Sequence, residues 1–115
     1  MNYHSAAIHR NIHKYNRDQA FDRSFYFVMC RAKDGDIYSP ERVLKNPDHE
    51  ISVLIEDIAT GQIENVLAVF VSNPIEHICD DCSAEIARLI WNQYGVTDAC
   101  REFLQDQIPE LMRVA

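Results

Sequence analysis

From Asn73 to Gly95 the chain reads NPIEHICDDCSAEIARLIWNQYG, and its apolar residues return at steps of three and four. Ile75, Ile78, Cys79, Cys82, Ile86, Leu89 and Ile90 form that series, which has the helical period. Both ends carry helix punctuation. Asn73 is a capping residue, Pro74 suits the first helical position, and Glu76 stands three after the cap as in a capping box. Gly95 has the backbone freedom to stop a helix. The pattern predicts one long amphipathic helix over 73–95, against which the remaining elements must pack. At 3.6 residues per turn, Trp91 falls about 160° from the centre of the apolar stripe. It shares the outer face with His77, Asp80, Ala84, Ala87 and Arg88.

The residues upstream divide into shorter units. Positions 4–20 predict a basic helix with a thin stripe of Ala7, Ile8, Ile12 and Tyr15. Ser24 to Arg31, SFYFVMCR, is rich in aromatic and β-branched residues and predicts a strand apolar on both faces. Lys33-Asp34-Gly35-Asp36 is a turn, after which Asp36 to Tyr38 pairs back. Ser39 and Pro40 start a predicted short helix through Lys45. Residues 50–58 and 62–71 predict a hairpin, with Gly61 supplying a positive φ between them and the second strand central. After Gly95, Thr97 caps a C-terminal helix with Ala99, Cys100, Phe103, Leu104, Ile108 and Leu111 on its apolar face, and Pro109 breaks it.

Hairpin-linked strands without a βαβ rhythm predict an α+β fold. Three or four antiparallel strands pack against two C-terminal helices, and the N-terminal helix covers the other sheet face or flanks the helical layer. The 115 residues suit one domain. No apolar run approaches the roughly 20 residues of a membrane span, and the first residues do not read as a secretory signal. Four cysteines in such a chain predict free thiols and a cytoplasmic location.

Charge narrows the partners. The net charge is −7. Arg10, Lys14, Arg17 and Arg23 against Asp18 and Asp22 give residues 1–23 a charge of +2, which leaves −9 on the rest. An acidic body disfavours general nucleic-acid binding, which relies on Lys and Arg clusters, and favours a basic protein surface.

Sequence motifs for catalysis are lacking. There is no GxSxG and no phosphate-cradling glycine loop, so neither a catalytic set nor a cofactor is expected. Cys79 and Cys82 form a CxxC that His9 and His13, four apart on a predicted helix, could complete as a zinc site. Against this, both thiols lie on the predicted buried stripe, and Cys79 stands six residues past the predicted cap, away from the helix start that activates redox thiols. Core packing is the better reading of the pair.

The function expected is therefore a small acidic cytosolic protein-binding module. It would be an inhibitor or adaptor of the immunity, chaperone or mobile-element anti-defence type, acting by stoichiometric binding to one partner. The N-terminal or C-terminal helix is the expected cover for Trp91. Failing that cover, Trp91, Arg88, Asp80, His77 and Ala84 are the candidate partner-binding residues, because tryptophan is enriched at interface hot spots. A homodimer through Trp91, Ala84 and Ala87 is an alternative. The alternative of another class is a zinc-stabilised domain whose basic N-terminal arm contacts nucleic acid.

Overall fold

A computed structural model describes residues 23–42 and 49–113. The predicted helix over 4–20, His9 and His13 within it, and residues 43–45 of the predicted short helix lie outside that range. Residues 39–42 are irregular rather than helical.

The strand β1 (Phe25–Arg31) turns through Lys33–Gly35 into β2 (Ile37–Tyr38), which pairs Cys30 with Tyr38 and Arg31 with Ile37. Both strands stand where the β-branched and aromatic content places them. Then comes α1 (Glu50–Thr60), followed by β3 (Val66–Asn73) and β4 (Ile78–Asp81). Three helices complete the chain: α2 (Ser83–Tyr94), α3 (Arg101–Gln107) and α4 (Pro109–Met112). The sheet is four-stranded and antiparallel in the order β2-β1-β3-β4, so the fold is α+β as predicted. Among the described residues, no helix is long and apolar enough to cross a membrane.

Two elements depart from the sequence reading. Residues 50–60 are a helix, not the first strand of a hairpin. The strand reading rested on Ile51, Val53 and Ile55 lining one face, yet Ile51 is 38% and Val53 46% exposed while Leu54 is fully buried. Burial follows Glu50, Leu54, Ile55, Ile58 and Ala59, a 3.6-residue period that outweighs β-branched propensity. Gly61 does hold a positive φ of 83°, but as the left-handed stop of this helix.

The long helix over 73–95 is likewise divided. Asn73 caps as expected, its Oδ1 accepting the backbone N–H groups of Ile75 and Glu76 at 3.0 and 3.1 Å. What it caps is one turn. His77 takes a left-handed φ of 57°, and the chain returns as β4 to pair with β3. The helix proper starts ten residues later, where Asp81 Oδ1 accepts the Ser83 N–H at 2.9 Å and the Ser83 hydroxyl. These two bonds hold the Asp81 carboxyl below its usual range. The local capping signal is met in both places, and the sheet's demand for a fourth strand decides which helix propagates.

The core lies between one sheet face and the helices. Val28, Cys30, Val66 and Val69 from the sheet meet Leu54, Ile58, Ile86, Ile90, Cys100, Phe103, Leu104 and Ile108. Ser83 is buried with them, its hydroxyl taking the Val69 N–H at 2.8 Å, so α2 is pinned to β3 by a satisfied polar contact. Pro109 acts as predicted. Ile108 leaves helical geometry at φ −135° and ψ 56°, and Pro109 opens α4.

Candidate functional site

The five residues predicted to form one outer helix face do not share an element. Ala84, Arg88 and Trp91 lie on α2, whereas His77 is in the β3–β4 turn and Asp80 is on β4. Ala87, placed with them, is fully buried. The phase shifts because Ile75, Ile78 and Cys79, which set the predicted stripe, are not helical. On α2 the buried positions are Ser83, Ile86, Ala87 and Ile90, and Leu89 is 41% exposed. Trp91 then flanks the buried stripe, half-buried and packed on the core. Arg88 is exposed and pairs with Glu110 of α4 at 3.8 Å.

The thiols also sit differently. Cys79 is exposed on β4 and Cys82 is partly buried before α2, so neither lies on a helix stripe. Burial, with the Glu85 and Asp81 charges behind it, pushes the Cys82 thiol up to about 11. No cluster of three metal-ligating side chains occurs among the described residues. Thiolate is the reacting species, so maleimide should modify Cys79 first and Cys82 at least about tenfold more slowly at pH 7. Cys30 and Cys100 are buried and should react only on unfolding. Mass mapping of the modified cysteines against time checks the order.

A concavity lies elsewhere. A cleft of 580 Å³ opens between the loop that joins α1 to β3 and the outer side of α3. Its lining combines an apolar floor, Val66, Leu67, Ala99 and Phe103, with the carboxylates of Glu64, Asp98, Glu102 and Asp106. Asp98, Glu102 and Asp106 recur every four residues, so they share one side of the α3 turn-and-helix.

Local geometry explains why the walls stand as they do. On one side Asn65 adopts a left-handed φ of 55°, and its carbonyl accepts the Arg31 N–H at 3.0 Å, which ties the loop to β1. On the other, the Thr97 hydroxyl donates to the Ala59 carbonyl at 2.6 Å, and the same oxygen accepts the Cys100 N–H at 3.3 Å. Thr97 thus caps the turn before α3 rather than the helix itself, whose N-cap is Cys100, and fastens that turn to the end of α1. Gly61 permits that approach, since a Cβ there would meet the Ala99 Cβ at 3.3 Å.

Measured against protein-family models, curated proteins and solved structures, the chain matches none. Its chemistry must be read from the cleft itself.

The charges in the cleft are unevenly compensated. Asp98 pairs with Arg101 at 3.3 Å, and Arg31 donates to the Gly35 carbonyl at 3.2 Å. Glu64, Glu102 and Asp106 have no ion-pair partner among the described residues. Three carboxylates without an ion pair, against the single Arg31 guanidinium on the same lining, stand with an apolar floor and suit a cationic head on an aliphatic stem, which is the chemistry of Lys and Arg side chains. Sequence reasoning gave Asp98, Glu102 and Asp106 no part in a site. The spacing of 98, 102 and 106 was available as a signal, but Glu64 joins them only through the tertiary fold.

Proposed function

We propose that this chain is a stoichiometric protein-binding module, an inhibitor or adaptor, and that it receives a basic segment of its partner in the cleft beside α3. The observation that supports this most is the set of three carboxylates without an ion pair, Glu64, Glu102 and Asp106, over the floor made by Val66 and Phe103. The acidic body extends the same field beyond the cleft and would draw a basic surface toward it. Immunity, chaperone and anti-defence proteins all work in this way, by occupying a partner's surface. Trp91, Ala84 and Arg88 on α2, and His77 and Asp80 at the sheet edge, stay candidates for contacts outside the cleft.

The experiment uses the native host lysate and the paired variant Glu102→Lys/Asp106→Lys. Both side chains are exposed, so the fold should be kept. The wild-type protein should retain one partner at equimolar ratio, and the charge reversal should weaken that complex at least about tenfold. Association should slow as salt rises, since exposed charges are screened within about 8 Å at physiological ionic strength. A complex of equal strength with the reversed variant would remove the cleft from the interface.

A further inference from the structure

Among the described residues, the helices cover one face of the sheet and leave the other open. Phe27 lies opposite Phe70 on it, Met29 opposite Ala68, and Ile37 beside Arg31. Phe27 is 50% and Ile37 58% exposed. The sheet's edges are ill suited to extension. β4 is four residues long and carries Asp80 and Asp81, and β2 is two residues long. The face is what is left to bury.

We propose that this open face is the docking site of the chain's own N-terminal segment, residues 4–20. The described chain begins at Arg23, two residues before β1, so the segment is tethered at one end of the face. Lengths agree. Seventeen residues make a helix of about 25 Å, and the seven residues of β1 span about 23 Å. Widths agree as well. A helix about 10 Å across covers two strands roughly 4.8 Å apart, and the phenylalanine pair sits on the two central strands, β1 and β3.

The segment's own pattern fits such a face. Ala7, Ile8, Ile12 and Tyr15 fall within about 140° of arc, while Arg10 and Arg17 lie on the opposite side and Lys14 borders the stripe beside Ala7. Docked by the apolar stripe, the segment would turn its basic side outward. A second copy is the weaker occupant. Three strands by about six residues offer on the order of 300 Å², against roughly 800 Å² per partner in a standard interface. A short tether also supplies an effective concentration in the millimolar range, which a separate molecule does not reach. The inference is independent of the cleft, and its failure would leave that reading intact.

Two measurements on the full chain test it. A helix running back from residue 20 along β1 ends near Arg31, so an amine-reactive cross-linker should join the N-terminal amine of the wild-type protein to Lys33 within one chain. In the second, Phe27→Cys is introduced with Cys79→Ser, and the maleimide rate at position 27 is followed. Adding Ile8→Asp and Ile12→Asp should speed that reaction at least tenfold while cooperative unfolding is retained. An unchanged rate overturns the proposal, as does a Lys33 that is modified without joining the N-terminus. Protection lost on dilution, or cross-links only between chains, also overturns it in favour of a second copy.

Discussion

Glu50→Ala should cost about 3 kcal/mol of stability, among the largest losses available to a single substitution outside the apolar core. Glu50 is 4% exposed in the first turn of α1, where negative charge suits the helix macrodipole. Its carboxylate accepts from two directions. One oxygen takes the guanidinium of Arg23, and the other takes the Tyr26 N–H at 3.1 Å. The Tyr26 carbonyl on that same edge receives Arg42 at 3.5 Å. Glu50 therefore closes part of β1 that the short β2 does not reach. Removing one partner of a buried pair costs about 3–5 kcal/mol, and an orphaned buried N–H about 1–3. Arg23 retains some access to water and stacks on Phe25 at 4.4 Å, which softens the first of these. Glu50→Gln keeps an acceptor for Tyr26 and should lose roughly half as much. Denaturant midpoints at constant slope decide the matter. A loss under about 1 kcal/mol for Glu50→Ala would show that the pair is solvated.

No local pattern announces Glu50. It lies 27 residues from Arg23, and a carboxylate at the start of an apolar run reads as a boundary. The sequence reading went furthest where a feature has a single local cause. Pro109 ends α3 because it lacks a donor, Gly61 takes a positive φ because it lacks a Cβ, and β1 and β2 form around a turn built from Asp34 and Gly35. It failed where two local preferences compete. Residues 50–60 carry both β-branched side chains and a helical burial period, and only their neighbours decide between them. At 73–95 two capping residues, Asn73 and Asp81, stand eight apart in a continuous apolar pattern. Pairing of Ile78–Asp81 with β3 then selects the later start. The cleft was half legible for the same reason. The α3 carboxylates follow a helical spacing, whereas Glu64 and the apolar floor arrive from another part of the chain.

The division of that long pattern has a direct consequence for two neighbouring residues. Ile90→Ala should destabilise by about 2–5 kcal/mol, and Leu89→Ala by at most about 1. The sequence stripe includes both. Leu89 joined it through Ile75, Ile78, Cys79 and Cys82, none of which belongs to α2. With the phase reset at Ser83, Ile90 is fully buried among the core residues and Leu89 is 41% exposed. Truncating Ile90 removes its burial and leaves a void that close-packed neighbours fill only in part. Truncating Leu89 loses contacts at a site water already reaches and leaves no closed void. Ala87 supplies a second check, since its Cβ has no exposure and a larger side chain there, as in Ala87→Leu, should cost about 1–3 kcal/mol by overpacking. Equal losses at 89 and 90 would restore the unbroken helix over 73–95, with Cys79 and Cys82 returned to its buried side.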